Sequence, residues 1–282
     1  MGRRPVGGVA QTFLLVDLAD SRLLLISIRR FTARADDYAK YRPAYPQGII
    51  GILEHEVGFT RNQIVADIGS GTGILTKLFL ENGNRVFGVE PNSRMRYHAE
   101  KNLSRFPGFV SVKGTAERTS LRAKSIDLVV VGQALHWFDP DMAAVELARI
   151  SRPDGSLCIA YNESRRGSRV MRAFEYIIDK YEARRKDVPN IGTRYARRFF
   201  EGGKFSRFVL PNEQTLDFEG LMGRLLSGSH MPTRDEPRRL KKLERDVRRL
   251  YDRFQEEGGV RLLYDTRMFV GRVAHPANCN YR

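Results

Sequence analysis

The sequence predicts an α/β fold in which a doubly wound, mostly parallel sheet carries helices on both faces. Short apolar runs that end at turn residues alternate with stretches of helical periodicity between residues 63 and 161. Repeated strand–helix units of this kind form parallel sheets, because each helix crosses over one face of the sheet. A glycine-rich segment follows the first apolar run, and the pattern becomes mostly helical after residue 162. A helical insertion in the C-terminal third is therefore expected beside the sheet.

Five strands are predicted in the alternating region. The first is a short apolar run that ends at Gly69, and the fourth consists mostly of Ile, Leu and Val, as in a strand buried on both faces. A turn at Pro153–Gly155 is expected immediately before the fifth strand. The predicted strands are Gln63–Ile68, Arg85–Val89, Phe109–Lys113, Ser125–Val131 and Ser156–Tyr161.

Helices are predicted between these strands from the recurrence of apolar residues at helical spacing. Asn92 is expected to cap the second helix, and Pro140 stands in the first turn of the third, where proline is tolerated. The predicted helices are Thr72–Glu81, Asn92–Ser104 and Pro140–Ile150.

The segment after residue 162 is predicted to be an insertion followed by a last strand. Apolar residues at helical spacing indicate a helix over Val170–Tyr181 and an amphipathic helix with a basic outer face over Leu240–Phe254. A loop is expected around Lys186–Gly192, and the last strand over Val260–Val273. The chain thus divides into an N-terminal extension of unknown role (1–30), a sheet core (31–162), a mostly helical insertion that includes the sixth strand (163–259), and a last strand with a tail (260–282).

Positive charge is concentrated in the C-terminal third. The chain has a formal net charge of +15, and Ser164–Arg272 holds 26 of the 48 basic residues but only 16 of the 33 acidic ones. Such a field favours an anionic partner: an acidic metabolite, a nucleic acid or an anionic membrane surface. A solvated basic helix face that only aids solubility is an equally good interpretation.

Other classes of protein are disfavoured by composition. The two cysteines, Cys158 and Cys279, form neither a metal cluster nor a disulfide framework, so no metal is expected and a reducing cytoplasm fits. Acidic residues interrupt the apolar stretch Thr12–Ile28, so we expect no membrane span. The first 30 residues contain either a strand pair around Ala19–Ser21 or an extension without a role in the fold.

The sharpest motif is the segment Val65–Gly73, at the predicted junction of the first strand and the first helix. Its glycines allow a tight turn and close approach of a ligand to the backbone, and the helix start supplies free N–H groups. A dinucleotide also binds loops of this kind. The spacing is Gly-x-Gly-x-Gly, however, and Ile74 stands where the dinucleotide pattern needs glycine. The spacing, and an acid placed to accept a hydrogen bond from the cofactor's ammonium group, favour S-adenosylmethionine; the predicted contacts are Asp67, Gly69, Ser70, Gly71 and Gly73.

Glu90 strengthens this interpretation. It ends the second predicted strand about 20 residues after the glycine loop, where a carboxylate binds both hydroxyls of a ribose. The alternative is a solvent-facing glutamate at a strand end.

These motifs together resemble those of class I S-adenosylmethionine-dependent methyltransferases, over about Phe31 to Asn162. The motifs are Asp67–Gly73, Glu90, Gly114–Glu117, Asp127 and Ser151–Gly155. Three further segments are similar to the methyltransferase type 11 branch that contains trans-aconitate methyltransferase-like enzymes: Asp37–Pro46, Gly132–Asp139 and Leu226–Pro232. The resemblance implies a Rossmann-like sheet of seven strands and a C-terminal lid.

The resemblance also implies further cofactor contacts. Ala116 and Glu117 are expected to flank the adenine, and Gln133 to line the pocket beside the methyl group. Tyr38 and Arg42 are expected on a segment folded over the cofactor. Their alternative is structural: tyrosine packing in a loop, and arginine pairing with one of the neighbouring aspartates, Asp36 or Asp37.

His136 is the candidate general base. A carboxylate acceptor is ionised at neutral pH and needs no base, whereas a hydroxyl or amine acceptor needs one. His136 follows the fourth strand at the edge of the sheet where ligands bind; alternatively, it is a capping or orienting histidine beside Trp137. Candidate contacts to the acceptor in the insertion are Arg194, Arg197, Arg198 and Arg224, and the resemblance implies Ser229 and His230 as further contacts.

The sequence therefore predicts a methyltransferase that uses S-adenosylmethionine on a small, acidic molecule. One alternative is a nucleic-acid methyltransferase that uses the basic C-terminal third. Another is a non-catalytic module that binds the cofactor and a partner. A monomer or a homodimer is expected.

Overall fold

A computed structural model describes residues 32, 34–181, 193–228, 231–233 and 235–274. It contains a seven-stranded sheet with the order β3-β2-β1-β4-β5-β7-β6, in which β7 runs antiparallel to β5 and β6, and the other neighbours are parallel. The predicted doubly wound α/β fold is confirmed. The strands are β1 (Ile64–Ile68), β2 (Arg85–Val89), β3 (Phe109–Val112), β4 (Ile126–Gly132), β5 (Ser151–Ser164), β6 (Ser206–Leu216) and β7 (Val260–Arg272).

Helices cover both faces of the sheet. Asn92 Oδ1 caps one of them by accepting hydrogen bonds from the amides of Arg94 and Met95, as its sequence position predicts. The helices are α1 (Ala35–Tyr41), α2 (Gly48–Val57), α3 (Ile74–Glu81), α4 (Ser93–Leu103), α5 (Pro140–Ile150), α6 (Arg169–Tyr181), α7 (Thr193–Ala196), α8 (Phe218–Leu226) and α9 (Pro237–Phe254).

Three apolar clusters hold these layers together. On one face of the sheet, α2, α3 and α4 bury residues such as Leu53, Phe79 and Leu103. On the other, α5 packs with Phe199 and Phe200. The third cluster joins α6, α8 and α9 to the ends of β6 and β7, and it makes the insertion a packed layer with its own core.

The order of the strands fixes where a ligand can bind. The chain passes outward from β1 to β2 and β3 and then returns to β4 on the other side of β1. Ligands of open α/β sheets bind at such a switch point, at the carboxyl ends of the strands. The loops after β1, β2 and β4 meet there.

One predicted feature is wrong, and several were not predicted. Pro153–Gly155 is not a turn before the fifth strand, because β5 begins at Ser151 and includes Pro153 and Gly155 in an irregularity of its pairing with β4. Pairing with β7 continues along β5 from Ser156 to Ser164 and lengthens it beyond its apolar run. The sequence analysis identified no counterpart of α1, α2 or α8.

Some predictions fall outside the described residues. They concern residues 1–30, the loop at Lys186–Gly192, Cys279, Ser229 and His230, and the side chain of Arg194. Among the described helices, none has the length and apolar character needed to cross a bilayer.

Candidate active site

The glycine loop after β1 combines one tightly packed glycine with one that faces open space. A Cβ added to Gly69 would lie 2.6 Å from Cβ of Ala134, so no side chain fits there. A Cβ added to Gly71 would meet no atom within 4 Å. Both glycines adopt positive φ angles, +70° and +56°. The loop therefore packs against the segment after β4 at Gly69 and presents bare backbone to a cleft at Gly71.

Gly73 lies on the far side of this loop. It precedes α3 with a φ of +83°, and a Cβ there would lie 2.6 Å from Leu103 of α4. Its lack of a side chain is explained by the close packing of the loop on α4, and it does not line the clefts described below.

Glu90 is buried at the end of β2 rather than facing solvent, with 8% of its surface exposed. Its Oε2 accepts a hydrogen bond from the amide of Gly71 at 3.0 Å, and its Oε1 accepts one from the amide of Asn92 at 2.8 Å. Burial raises the pKa of Glu90, and the two backbone hydrogen bonds oppose that rise. Each carboxylate oxygen can still accept a second hydrogen bond from a ligand in the cleft.

Asp67, in β1, is almost fully buried, with 1% of its surface exposed. Its Oδ2 accepts a hydrogen bond from Thr76 Oγ1 at 2.6 Å, whereas its Oδ1 is buried without a hydrogen-bond partner among the described residues. Burial, and to a smaller extent the neighbouring charge of Glu90, raise its pKa to about 7, although the hydrogen bonds from Thr76 oppose this rise. A buried acceptor atom that lacks a partner is costly, so a cationic ligand group at Oδ1 would be favoured.

Two adjoining clefts open at the switch point and share their central residues. The larger measures about 710 Å³ including its open mouth, within the range of small-molecule sites. The shared residues are Tyr38, Gly69, Gly71, Gly132 and Gln133. The larger cleft is also lined by Glu90, Pro91, Asn92, Met95, Thr115, Ala116, Glu117, Ala134, Trp137 and Phe138. The second cleft is also lined by Arg42, Pro43, Tyr45, Asp67, Ser70, Thr72, Ile74, Leu75 and Asn162.

Arg42 closes the second cleft from the segment that follows α1. Its Nη2 donates a hydrogen bond to the carbonyl of Ser227 at 3.1 Å, and its guanidinium stacks 4.8 Å from the centre of the Tyr38 ring. Its Nε is buried without a hydrogen-bond partner among the described residues. Burial, and then the charge of Arg224, lower its pKa to about 10. The alternative pairing with Asp36 is not observed, since Asp36 contacts Arg94 instead.

Gln133 stands between the two clefts, directly after β4. Its backbone has a positive φ of +56°, a strained conformation for a residue with a side chain and one that concentrates at functional sites. Its Nε2 donates to the carbonyl of Asn162 at 2.9 Å, and Nδ2 of Asn162 donates to the carbonyl of Ala44 at 3.1 Å. These bonds join β4, β5 and the segment that carries Arg42.

His136 lies in a one-turn 3₁₀ helix, Leu135–Trp137, and does not line either cleft. Its ring centre is 4.8 Å from that of Trp137, which does line the larger cleft. Burial, and then the charge of Arg42, lower the pKa of His136 to about 4. The imidazole is therefore neutral at pH 7 and is a weak proton acceptor.

The remaining predicted residues separate into two groups. Ala116 and Glu117 line the larger cleft, where Glu117 Oε1 also accepts a hydrogen bond from the amide of Asp139 at 2.9 Å. Arg197 and Arg198 lie in the turn after α7, and Arg198 pairs with Asp141 on the surface at 3.1 Å. The structure does not bring these two arginines to the clefts.

Tyr45 was missed by the sequence analysis as a site residue. It lines the second cleft, and its hydroxyl lies 2.8 Å from the position of a Cβ on Gly132. Burial raises its pKa well above the usual range, so it stays neutral. Its place in the run Arg42-Pro43-Ala44-Tyr45 was the available signal.

Known proteins share this arrangement of strands and loops. Residues 66–159 match the family described as "Methyltransferase domain". An uncharacterized methyltransferase of Mycobacterium tuberculosis is 36% identical over 132 residues, 47% of this chain and 51% of the relative. An uncharacterized methyltransferase-like protein of Schizosaccharomyces pombe is 26% identical over 251 residues, 86% of this chain and 95% of the relative. Residues 66–159 therefore form a methyltransferase domain of the kind that uses S-adenosylmethionine.

The extent of the likeness differs between core and insertion. The chain spans about half the length of the mycobacterial relatives that it matches. A solved structure from Anaeromyxobacter dehalogenans, assigned as a type II methyltransferase, superposes with a TM-score of 0.63 at 22% identity and covers 83% of this chain and 100% of that chain. The likeness of the fold thus extends beyond the matched core.

Proposed function

We propose that this methyltransferase transfers the methyl group of S-adenosylmethionine to a small acceptor that carries a carboxylate. The observation that carries the proposal is a pair of buried, oppositely charged groups with unpartnered atoms, Asp67 Oδ1 and Arg42 Nε. Both line the second cleft, while Glu90 lines the first. An amino acid has one ammonium and one carboxylate group, which this pair complements.

We expect the cofactor to extend across both clefts. Asp67 would bind the ammonium group of the methionine part and Arg42 its carboxylate, since an arginine fork matches a carboxylate well. Gly71 leaves open space at the junction, where a side chain would intrude. Glu90 would accept hydrogen bonds from the ribose hydroxyls, and Ala116 and Glu117 would flank the adenine.

The protein's own contribution to the reaction is positioning. When bound, the cofactor supplies a sulfonium methyl group as the electrophile, so the chain must hold an acceptor in line with it and keep water away. Gln133, between the two clefts, would line the reaction centre. Tyr38 and Arg42 close this region from above, because Arg42 is tied to the end of α8 through the carbonyl of Ser227.

Unneutralised positive charge beside the second cleft supports an acidic acceptor. Arg42 and Arg224 act on each other electrostatically, and among the described residues no carboxylate lies within 4 Å of either guanidinium. A carboxylate acceptor would be ionised at neutral pH and would need no base. The low pKa of His136 agrees with this, since a base of that strength activates a hydroxyl or amine poorly.

The test is release of S-adenosylhomocysteine in a coupled assay. The purified chain is given a panel of mono-, di- and tricarboxylic acids, their methyl esters, and bulk RNA. Turnover of acids but not of the corresponding full esters is the expected result. Turnover of esters at equal rates would contradict the acidic acceptor, and absence of turnover with intact cofactor binding would favour a non-catalytic module.

A nucleic-acid methyltransferase is the second candidate, and α9 is the observation that favours it. One side of this 18-residue helix packs through Leu243, Val247 and Leu250, while the other side exposes a row of cations. The exposed cations are Arg238, Lys241, Lys242, Arg245, Arg248, Arg249 and Arg253. Binding through phosphate contacts would weaken steeply with added salt. No binding of RNA at low salt would remove this candidate.

A further inference from the structure

The C-terminal end of α8 lies against Arg42 and brings a second arginine to the same place. Arg42 Nη2 donates to the carbonyl of Ser227, which caps α8. Arg224 is one turn earlier on this helix, and Ser227 Oγ donates to its carbonyl at 2.7 Å. Arg42 lines the second cleft, and Arg224 does not line either cleft but lies close enough to Arg42 for its charge to lower the pKa of Arg42.

The side chain of Arg224 is held by aromatic groups. Its Nε donates to the hydroxyl of Tyr264 at 3.2 Å, and its guanidinium lies 5.7 Å from the centre of the Tyr264 ring and 6.0 Å from that of Phe174. Tyr264 and Phe174 are fully buried, so this support is rigid. Among the described contacts only Nε is hydrogen-bonded, which leaves the two terminal nitrogens for a ligand. That pair forms the planar fork that binds a carboxylate.

Close helix packing fixes the position of Arg224. A Cβ added to Gly223 would lie 2.1 Å from the ring of Tyr41, so α8 rests directly on α1. Lys40 and Tyr41 on α1 also contact Glu219 on α8, at 2.9 and 2.7 Å. The helix that carries Arg224 is therefore anchored to the segment that carries Arg42.

Other arginines near this site already have partners. Arg34 donates to the carbonyls of Leu226, Gly228 and Met231 and so holds the backbone after α8. Arg42 binds Ser227 and, under the proposed function, the carboxylate of the cofactor. Of these three arginines, Arg224 is therefore the one that neither holds the backbone after α8 nor serves the cofactor.

We propose that Arg224 is the specificity-determining residue that binds a carboxylate of the acceptor through its two terminal nitrogens. This inference rests on the proposed function and deepens it, because it assigns one arginine to the carboxylate of the cofactor and the other to the carboxylate of the acceptor. Arg42 serves the cofactor and Arg224 the acceptor. Two neighbouring cations repel each other unless each meets its own anion, and the pair therefore selects against neutral acceptors.

The test compares Arg224→Met and Arg224→Lys with Arg245→Met, a control that removes an exposed arginine from α9. Acids of the panel (glutarate, citrate and aconitate) are titrated by calorimetry into protein saturated with S-adenosylhomocysteine. We expect Arg224→Met to weaken acid binding about 100-fold and Arg224→Lys about tenfold, because lysine keeps the charge but loses the fork. Arg245→Met should bind acids as the unmodified chain does. All three variants should bind the cofactor within about twofold of the unmodified chain, as expected for a residue outside its site.

Binding and turnover separate the two proposals. Acid binding that is unchanged in Arg224→Met, or acids that fail to bind the unmodified chain, would overturn the role of Arg224. So would a parallel loss of cofactor affinity in Arg224→Met, since that would place Arg224 in the cofactor site. With acids that turn over, the loss should appear in KM and leave kcat nearly unchanged. Acid binding that depends on Arg224 without turnover would support the subsite and contradict the methylation of acids.

Discussion

The carboxylate of Glu90 and the backbone amide of Gly71 are joined by a hydrogen bond of 3.0 Å. This bond ties the end of β2 to the glycine loop after β1, which are neighbours in the sheet. Glu90 therefore has two functions in one position: it fixes the loop, and it presents its remaining lone pairs to the cleft. Loss of its carboxylate should weaken cofactor binding, because the loop would be less firmly held and the cleft would lack an acceptor.

Replacement of Glu90 by alanine should lower the affinity for S-adenosylmethionine by about 100-fold, since two hydrogen bonds to a charged group are lost. Glu90→Gln should reduce the affinity less, because the side-chain amide oxygen can still accept a hydrogen bond from the backbone amide of Gly71. Isothermal titration calorimetry measures both, with Glu54→Ala on the exposed side of α2 as the control. Equal affinity in Glu90→Ala and the control would show that Glu90 does not contact the cofactor.

The open space at Gly71 gives a second prediction with a matched control. Gly71 and Gly58 have similar positive φ angles, +56° and +64°, and a Cβ on either would meet no atom within 4 Å. Arginine at either position therefore costs a similar strain, on the order of 1–2 kcal/mol. Only Gly71→Arg places a side chain in the cleft, so it should abolish cofactor binding while Gly58→Arg retains it.

Thermal unfolding of the two variants checks that their stability is lowered equally. If Gly71→Arg binds the cofactor with unchanged affinity, the cleft is not the cofactor site.

Local patterns in the sequence predicted the core of the sheet well, for a physical reason. β2 and α5 were predicted at their observed bounds, because apolar runs and periodic stripes reflect burial against the layers of this fold. The glycine spacing and Glu90 likewise predicted residues that line the two clefts, since a tight turn and a strand-end acid are both local features.

The rest depends on contacts between distant segments. The turn expected at Pro153–Gly155 lies within β5 at an irregularity of its pairing with β4, and β5 extends to Ser164 because a strand about a hundred residues later pairs with it. Arg224 and Arg42 are 182 positions apart in the sequence, and only the packing of α8 on α1 brings them together. The lack of a hydrogen-bond partner at Asp67 Oδ1 among the described residues is also a property of the folded chain, because it arises from the burial of this atom.

Asp67 should make cofactor binding depend on pH. Its pKa of about 7 means that the carboxyl is largely protonated at pH 5.5, and only the ionised form attracts the cofactor's ammonium group. The affinity should therefore rise about tenfold between pH 5.5 and 7. Calorimetry in two buffers of different ionisation enthalpy should show proton release on binding at pH 6. In Asp67→Asn the affinity should be lower and nearly independent of pH over this range.

The same group should affect stability without ligand, in the opposite direction. The pKa of Asp67 is raised on folding from 3.8 to about 7, so the folded chain holds the proton more tightly than the unfolded chain. The stabilising contribution is complete below pH 4 and is lost as the pH rises towards 7 and beyond. Removal of the buried charge in Asp67→Asn should stabilise the chain at pH 8 relative to pH 5, by on the order of 3 kcal/mol. Urea unfolding at pH 5 and pH 8 measures this. If the free energies of unfolding of Asp67→Asn and the unmodified chain differ by the same amount at the two pH values, Asp67 is not a buried group that titrates in this range.

His136 distinguishes a carboxylate acceptor from a hydroxyl or amine. Its pKa of about 4 and its position outside both clefts make it a poor general base. If the acceptor is a carboxylate, His136→Ala should retain activity within about tenfold, because no proton has to be removed. The loss that remains would come from the packing of Trp137, whose ring lies 4.8 Å away. His136→Phe, which preserves that packing, should then be closer to the unmodified chain than His136→Ala. A loss of several orders of magnitude in both variants, with cofactor affinity intact, would instead show that His136 removes a proton from a hydroxyl or amine.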